Sequence, residues 1–412
     1  MTIPFLIYYH QTIKSVSRKE KNMISTLDFK TKTEFINRKN ASFGDAWGIA
    51  LDIGYSAVKG FSPNRVYRFP SYARKLEGRP LGMGNTPESN ILYRENETSD
   101  IWAVGEAALD CITSNDAKDS NETLYGRNRY FDPMFLVVAR TGLAMGMTSN
   151  TYGSPDDKKL VVQTGLPPAY IKTDAPVLRG VLSGIHTFEL KIGNKPWKKF
   201  TFVLTDSDIH VMEQPMGTLI SIATNQDGSA VPEAEKYFNK RLLILDPGFR
   251  TFDAFNIAGN QVSDTQTFDD LGMWAVLQRT ADVIYKSYST ELRVPAMQKN
   301  LADGTFTKFD RRTHSTEEIA FADILEDQSK NVCTEALERI YNIYNYLIDH
   351  DYLVITGGTG EAWNGYIREA LQYMSNLTII PGNLNDDLSC TYSNVRGYYM
   401  FLQKRLRKLA AA

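Results

Sequence analysis

Two short segments, one in each half of the chain, repeat the same order of apolar and polar positions. In the first, an apolar run ends at Asp52, and Gly54 follows two residues later. In the second, an apolar run ends at Asp246, and Gly248 follows. Each run predicts a buried strand, and each glycine permits a turn that residues with a Cβ resist. The repeat therefore predicts two β-hairpins of one design in a duplicated architecture.

The turns of these hairpins have the composition of a phosphate-binding site. Backbone amides beside small or hydroxyl side chains can cradle phosphate groups, and an acidic residue at a strand end can hold Mg²⁺ through water. The first return strand also brings a cation, Lys59, seven residues after Asp52. A third apolar run ends in the pair Gly357-Gly358, where the backbone can approach a ligand closely. Three such turns facing one cleft suit ATP.

Apolar periodicity along the rest of the chain alternates between strand-like and helix-like segments, which indicates an α/β protein. The strand-like segments are 66–73, 101–104, 160–168, the hairpin 188–204, 208–217, 352–355 and 377–381. Helices are predicted at 105–108, 133–147, 219–224, 271–288, 320–348 and 392–408. Polar stretches at 76–100, 225–232 and 300–316 predict loops.

Composition restricts the class of protein without identifying it. The chain has 412 residues, 42% of them apolar and 23% charged, as is typical of a globular protein of about two or three domains. A net charge of −2 gives no reason to expect direct DNA binding. The three cysteines and five histidines show no metal-ligand spacing, and the cysteine usage favours a reducing compartment. No apolar run approaches the roughly 18 residues of a membrane span.

The first 46 residues precede the first hairpin. They carry an apolar tip at residues 3–9 and a charged stretch at residues 14–32. The simpler interpretation is a mobile, solvated tail. The alternative is an arm that docks on a neighbouring subunit, because the apolar tip would otherwise be exposed.

Hydrolysis would also need a group that orients or activates water, since phosphoryl transfer depends mainly on positioning and electrostatics. Glu213 and Gln214 lie at the end of a predicted strand, just before a helix. A glutamate could accept a proton, whereas a glutamine could only orient the water. The same pair could instead serve as an ordinary cap of the helix N-terminus.

The order of these motifs resembles that of the actin fold superfamily. The Asp52 hairpin with Lys59 is similar to its first phosphate motif, residues 246–253 to the second, and residues 354–358 to the adenosine motif. Within the superfamily the chain is most similar to bacterial plasmid-segregation actins of the ParM and Alp kind, over about residues 47–405. Further segments that match in order are 160–168, 211–217 and 394–398.

The resemblance implies an α/β, ribonuclease H-like fold, whose duplicated domains form two lobes around a nucleotide cleft. Residues 1–46 would be an N-terminal extension, 47–228 lobe I and 229–391 lobe II, with the helix at 392–408 packing back on lobe I. The implied protein is a cytoplasmic ATPase that polymerises into filaments. It would segregate plasmid DNA through a DNA-binding adaptor protein, with no direct nucleic-acid or membrane contact.

The resemblance also implies ATP or ADP and Mg²⁺ as cofactors, with GTP in place of ATP left open. By register the family's water-positioning residue falls on Gln214, beside Glu213, and Asp246 completes the catalytic candidates. The metal candidates are Asp52 and Asp246. The residues expected to bind the nucleotide are Asp52, Gly54, Tyr55, Ser56, Lys59, Gly248, Phe249, Arg250, Thr251, Gly357, Gly358 and Thr359.

Other functions share parts of this pattern. A small-molecule kinase of the same fold, of the sugar or acetate kinase type, is the main alternative. It would need a substrate pocket, often with a catalytic aspartate near the domain junction, and the sequence identifies none. A DnaK-type chaperone would need a long C-terminal substrate domain. A non-enzymatic scaffold with a degenerate cleft is disfavoured by the presence of Asp52, Lys59, Asp246 and Thr251.

Overall fold

A computed structural model of the protein describes residues 25–78, 85–112, 127–259 and 261–411. Within these ranges the strands are β1 (Glu34–Asn37), β2 (Trp47–Ile53), β3 (Ala57–Ser62), β4 (Arg65–Pro70), β5 (Ala73–Lys75), β6 (Ile91–Glu95), β7 (Ile101–Val104), β8 (Leu160–Leu166), β9 (Gly184–Ile192), β10 (Lys198–Leu204), β11 (Ile209–Glu213), β12 (Leu242–Pro247), β13 (Phe252–Ala258), β14 (Gln261–Phe268), β15 (Thr305–Asp310), β16 (Ser315–Ala320), β17 (Tyr352–Ile355) and β18 (Thr378–Pro381).

The α-helices of the described residues alternate with these strands. They are α1 (Glu106–Leu109), α2 (Pro133–Gly146), α3 (Ile171–Leu182), α4 (Gln214–Ile222), α5 (Ala234–Asn239), α6 (Met273–Tyr288), α7 (Val294–Asp303), α8 (Ala322–Ile343), α9 (Gly357–Leu371) and α10 (Ser393–Ala410). Short 3₁₀ helices add single turns, including one at Thr26–Phe29 and one at Arg127–Phe131.

Two large sheets share a five-stranded topology, to which the first sheet adds β1 as a sixth strand at its edge. The first has the strand order β1-β4-β3-β2-β8-β11, and the second has the order β14-β13-β12-β17-β18. In each, an antiparallel meander of three strands continues into two parallel strands. The hairpins of Asp52 and Asp246 occupy equivalent places, β2–β3 and β12–β13. This repetition confirms the duplicated α/β architecture expected from the sequence.

Each large sheet belongs to one lobe, and each lobe has a smaller part attached. The first lobe adds the sheet β10-β9-β6-β7-β5, and the second adds α7 and the hairpin β15–β16. Strand β2 is buried along its whole length, and so is β12. Such continuous burial requires apolar side chains on both faces of the strand, which explains why these two runs show no alternation of apolar and polar residues.

Helices α4 and α10 lie between the two large sheets. α10 contacts β2 and β8 of the first sheet, whereas α4 contacts β12 and β13 of the second. Where the helices meet, a Cβ on Gly397 would lie only 1.7 Å from the carbonyl oxygen of Gly217. Glycine at both positions therefore allows the backbones of the two helices to touch, and together the helices form one layer between the sheets.

Several boundaries predicted from the sequence are wrong. The expected loop at 76–100 contains β6, and residues 79–84 of it lie outside the described residues. The expected loop at 300–316 contains the end of α7, all of β15 and the start of β16. Helix α4 begins at Gln214 instead of Leu219, because Pro215 occupies its first turn, where a missing amide hydrogen is tolerated.

The N-terminal extension is folded where the structure describes it. Residues 25–33 contain the 3₁₀ helix Thr26–Phe29, and β1 then pairs with β4 at the edge of the first sheet. The prediction of a solvated tail is therefore wrong for residues 25–46. Residues 1–24, which include the apolar tip, lie outside the described residues.

The three cysteines are reduced and differ in burial. Cys333 and Cys390 are buried, whereas Cys111, directly after α1, is half-buried. Burial raises the pKa of the Cys333 thiol to about 12 and also raises the pKa of Cys390. Among the helices of the described ranges, none has the length and apolar character that a membrane crossing requires.

Candidate functional site

The two repeated hairpins close with the same turn. In the first, the Gly54 amide donates to the carbonyl oxygen of Ala57 at 3.0 Å, and in the second the Gly248 amide donates to that of Thr251 at 2.8 Å. A Cβ on either glycine would lie 2.9 Å or 3.1 Å from the same carbonyl oxygen. Each turn therefore needs glycine for the close approach of its own backbone, which accounts for the repeated Asp-x-Gly pattern.

Asp52 is the centre of a polar cluster in the first lobe. Its carboxylate is nearly inaccessible, with 2% of the residue exposed. Lys59 lies opposite it across the β2–β3 hairpin, and its Nζ is 3.0 Å from Asp52 Oδ2. The Nε2 of Gln214 donates to Asp52 Oδ1 at 3.3 Å. Gln214 opens α4, so the start of this helix is linked to the first turn.

Asp246 is the corresponding carboxylate in the second lobe. It is 6% exposed, and Asn394 Nδ2 donates to its Oδ2 at 2.6 Å. Burial raises the pKa of Asp246, and the nearby Asp52 carboxylate adds to the increase, whereas Asn394 and Lys59 oppose it. The Thr218 hydroxyl donates to Asn394 Oδ1 at 2.6 Å. Helix α10 therefore contacts the Asp246 carboxylate directly, whereas α4 is linked to it only through Asn394.

The third glycine turn is the beginning of helix α9, not a separate loop. Gly357 has a φ of +76°, in the region that favours glycine. A Cβ there would lie 2.7 Å from Asp246 Oδ1 and 2.9 Å from the carbonyl oxygen of Pro247. The Thr359 hydroxyl donates to the carbonyl oxygen of Gly248 at 2.8 Å. The N-terminus of α9 is thus fixed against the second hairpin, and such a terminus attracts anions.

The second turn is also tied to helix α6. The Met273 amide donates to the Gly248 carbonyl at 3.1 Å, and the Trp274 amide donates to the Phe249 carbonyl at 2.8 Å. The Arg250 guanidinium lies over the Trp274 ring, 4.4 Å from its centroid. These contacts hold the turn rigidly, which is the condition for a preorganised ligand site.

The structure brings nearly all of the predicted site residues to one cleft between the lobes. Glu213 is the exception: it does not line the cleft, and burial raises the pKa of its carboxyl. Its neighbour Gln214 does line the cleft. The other predicted residues that line it are Asp52, Gly54, Tyr55, Ser56, Lys59, Asp246, Gly248, Phe249, Arg250, Thr251, Gly357, Gly358 and Thr359.

Several cleft residues were not among the predicted ones. The Arg129 guanidinium donates to the Ile53 carbonyl at 2.8 Å and lies over the Tyr55 ring, 4.2 Å from its centroid. Arg129 follows a polar stretch without periodicity, so no sequence pattern marks it. Two others, Asp253 and Asn394, lie in the segments 246–253 and 394–398 that the resemblance already includes, and their place in those segments was the available signal.

Charges of both signs line the cleft. In the described part of the chain, five cationic side chains face four carboxylates there. The cations are Lys30, Lys59, Arg68, Arg129 and Arg250, and the carboxylates are Asp28, Asp52, Asp246 and Asp253. This mixture suits a polyanion that carries a divalent cation with it, because each ion meets groups of opposite charge.

The carboxylates do not form a protein cage for a metal. Among the described residues there is no group of three or more His, Cys, Asp or Glu side chains that could hold an ion. Asp52 and Asp246 are buried oxygen donors from opposite lobes of one cleft. Such a pair fits Mg²⁺, which keeps several waters and is usually held by one or two carboxylates together with ligand phosphates.

Comparison with known proteins agrees with the repeated topology. Residues 50–217 match the family described as the N-terminal domain of actin-like proteins. No curated protein matches the chain in sequence. Among solved structures, a non-polymerisable quadruple mutant of pCBH ParM is similar with a TM-score of 0.67 and 18% identity, over 87% of this chain and 99% of that one.

Two further structures show the same fold. A 15-stranded ParM filament from Clostridium botulinum has a TM-score of 0.63 at 18% identity, over 88% of this chain and 99% of that one. The archaeal actin homologue Ta0583, in complex with ADP, has a TM-score of 0.57 at 14% identity, over 87% and 99%. The chain as a whole thus has the fold of actin-like proteins, and its residues 50–217 match the family of their N-terminal domain.

Proposed function

We propose that the chain is an ATPase that polymerises into filaments in a nucleotide-dependent manner. The observation that carries this proposal is the pair of identical glycine turns, one from each lobe, that face a single cleft with Asp52, Lys59 and Asp246. Matched turns on opposite sides of the cleft can bind a polyphosphate from both sides. We retain residues 47–228 and 229–391 as the proposed limits of the lobes.

The nucleotide would lie with its phosphates between the two turns. Lys59 and the turn amides would offset the phosphate charge, and the residues at the start of α9 would support the adenosine. The archaeal homologue Ta0583 was solved in complex with ADP, which supports a nucleotide as the ligand of this cleft. The bound ATP supplies the phosphoanhydride bond that is hydrolysed.

Asp52 and Asp246 would position hydrated Mg²⁺ beside the phosphates. Lys59 forms an ion pair with Asp52, with 3.0 Å between Nζ and Oδ2. The pKa of Asp246 is raised by burial, with the negative charge of Asp52 adding to the increase. A divalent cation near both would reverse this effect on Asp246, because opposite charge favours the ionised carboxylate.

Gln214 is the residue proposed to orient the attacking water. Its Nε2 is committed to Asp52 at 3.3 Å, so its carbonyl oxygen is the atom suited to accept a hydrogen bond from water. A glutamine cannot take up the proton, and its contribution is therefore one of positioning. Glu213 lies outside the cleft lining and is not required in this arrangement.

Filament formation and DNA segregation rest on similarity in fold to structures of filament-forming proteins, including the ParM filament from Clostridium botulinum. We propose self-association as the first partner interaction and a DNA-binding adaptor protein as the second, in the cytoplasm. An adaptor is needed because the chain has a net charge of −2 and therefore no bulk attraction to DNA.

The test is sedimentation with light scattering over a series of protein concentrations, with Mg-ATP, with Mg-GTP and without nucleotide. We expect polymer to pellet above a sharp critical concentration, and only when nucleotide is present. Nucleotide binding without polymer at any concentration would reject the filament proposal. The next experiment would then be a screen of small-molecule phosphoryl acceptors, as for a kinase of this fold.

The proposed metal site has its own test. Asp246→Ala removes one of the two buried carboxylates, and we expect Mg-dependent hydrolysis to fall by at least about a hundredfold, a loss typical of a group that stabilises transferring phosphate. Phosphate release measures it. Asp327→Ala, an exposed position on α8, is the control and should hydrolyse at the normal rate. Normal turnover in Asp246→Ala would contradict the site assignment.

A further inference from the structure

We propose that the segment 25–33, called here the N-terminal strap, contributes its residues 28–31 to the nucleotide site and that Lys30 binds a phosphate of the nucleotide. This inference rests on the proposed function, because it assigns a role at the same cleft. Residues 25–33 belong to neither of the two large sheets. The duplication of those sheets therefore does not account for this segment.

One end of the strap is anchored in the second lobe. Phe29 is 6% exposed and belongs to the hydrophobic core that contains Leu245 and Met297. The 3₁₀ helix Thr26–Phe29 contacts α7 and α9. Thr26 is also buried, and a Cβ on Gly304 would lie 3.1 Å from its Oγ1. Because an apolar anchor and a buried threonine are both packed, this end of the strap has a defined position.

The other end of the strap crosses to the first lobe. The Thr31 amide donates to Gln298 Oε1 on α7 at 3.3 Å. Two residues later, the Thr33 amide donates to Glu106 Oε1 on α1 at 2.5 Å. Since α7 belongs to the second lobe and α1 to the first, the strap spans the gap between the lobes before it continues into β1.

The strap passes beside the tips of both glycine turns. Thr31 shares a small cavity with Tyr55 and Ser56 of the first turn and Phe249 of the second. The main cleft is also lined by residues 28–31. Lys30, which precedes Thr31, therefore lines the same cleft as the two turns that would hold the phosphates.

Lys30 is the strap residue with the chemistry for this role. It lines the cleft and is half-buried. Within the described ranges, no carboxylate lies in ion-pair distance of its ammonium group. Lys59, the other lysine of the cleft, is already paired with Asp52. An ammonium group without an acidic partner, beside a phosphate-binding turn, can form a charge-assisted hydrogen bond with a phosphate oxygen.

The strap would therefore couple the binding of the phosphates to the contact between the two lobes. A nucleotide that engages Lys30 would hold the strap, and the strap holds α1 and α7 together. Release of the nucleotide would require either that the hydrogen bond between Lys30 and the phosphate break or that the strap separate from Gln298 and Glu106. Nucleotide exchange would therefore be slower than exchange from a cleft that no strap crosses.

The experiment uses the full chain and a fluorescent ATP analogue with Mg²⁺. Lys30→Gln is compared with Lys32→Gln, which changes an exposed lysine of the same strap that does not line the cleft. We expect Lys30→Gln to weaken nucleotide binding about tenfold, as for the loss of one hydrogen bond between charged groups, while Lys32→Gln binds like the unchanged protein. Both positions are accessible, so folding should be preserved.

A second variant tests the strap itself by the rate of nucleotide release. Gln298→Ala removes the acceptor of the Thr31 amide, and we expect release to become about threefold faster. Thermal unfolding of this variant checks that the fold is retained, since Gln298 is buried. Equal affinity and equal release rates in Lys30→Gln and Lys32→Gln would overturn the inference and leave the proposed function intact. Failure of the unchanged protein to bind nucleotide would overturn both.

Discussion

Two aspartates at the site differ in their partners although they face each other across one hairpin. Asp246 and Asp253 are register partners of β12 and β13. Asp246 receives an amide from Asn394, whereas Asp253 receives hydroxyls from Thr251 at 3.0 Å and Thr267 at 2.5 Å. Burial raises the pKa of Asp253 to about 7, and the Asp246 carboxylate adds to the increase against the Thr267 hydrogen bond. Near neutral pH this carboxyl is therefore partly protonated.

This shift predicts a pH-dependent stability. A carboxyl whose pKa is raised in the folded state stabilises the fold fully below its unfolded pKa of 3.8, and this contribution is lost as pH rises through about 7. The free energy of unfolding should therefore decrease between these pH values relative to Asp253→Asn, by on the order of 4 kcal/mol. Chemical denaturation at several pH values measures the difference. A constant difference across the range would contradict the prediction.

The sequence predicts the polar residues of the site better than their roles. Asp52 and Asp246 stand near the ends of apolar strands, and Lys59 lies on the return strand of the first hairpin, where the repeated pattern places them. The choice between Glu213 and Gln214 could not be made from the sequence, because it depends on which way the first residue of α4 points. Arg129 could not be predicted either, since it reaches the cleft from a segment without regular structure.

At the scale of elements, one buried carboxylate joins three segments that are distant in the sequence. Asp386 accepts two hydrogen bonds from Arg38 at 2.7 Å and 2.8 Å, and one from Arg396 of α10 at 2.9 Å. Burial alone would raise the pKa of Asp386, but the two guanidinium groups outweigh it and lower the pKa. The cluster connects the segment after β1, the loop after β18 and helix α10.

Removing this carboxylate should destabilise the protein strongly. Asp386→Ala leaves two guanidinium groups without their shared partner, and breaking a buried ion pair costs about 3–5 kcal/mol. We expect a loss of that size in the free energy of unfolding, measured with urea. The neighbouring Asp387 is exposed, and Asp387→Ala should unfold like the unchanged protein. If the two variants were equally stable, the cluster would have no structural role.

Elements with a clear apolar pattern were predicted, and those without one were missed. The hairpin β15–β16 buries one residue, Phe306, and the rest of its length is exposed or half-exposed. Its polar sequence therefore looks like a loop. Strand β6 has only three buried residues, between turn-forming residues on both sides. Both elements are stabilised by pairing with neighbouring strands, which is information that a single segment does not contain.

At the scale of the whole molecule, the lobes touch each other directly above the cleft. Lys299 of α7 donates to the carbonyl oxygen of Ile112 at 3.2 Å and to that of Asp110, both beyond α1. The Tyr170 hydroxyl donates to Asp269 at 2.8 Å, again from one lobe to the other. We therefore expect such contacts to restrain the separation of the lobes.

The lysine contact predicts a change in exchange rate without a change in chemistry. Lys299→Met removes both hydrogen bonds between the lobes, and we expect nucleotide release to become about three- to tenfold faster. Stopped-flow displacement of a fluorescent nucleotide measures the rate. Lys286→Met, at an exposed position on α6, should release nucleotide at the normal rate. Unchanged release in Lys299→Met would mean that this contact does not restrain the lobes.

The distribution of thiols has a practical consequence for observing such motions. Cys111 lies next to the residues that Lys299 contacts, whereas Cys333 and Cys390 are buried. A maleimide dye would therefore attach preferentially at the place where the lobes meet, without any engineered cysteine. The unchanged chain thus carries its own position for a spectroscopic probe, and fluorescence at that one site would test whether the lobes separate there.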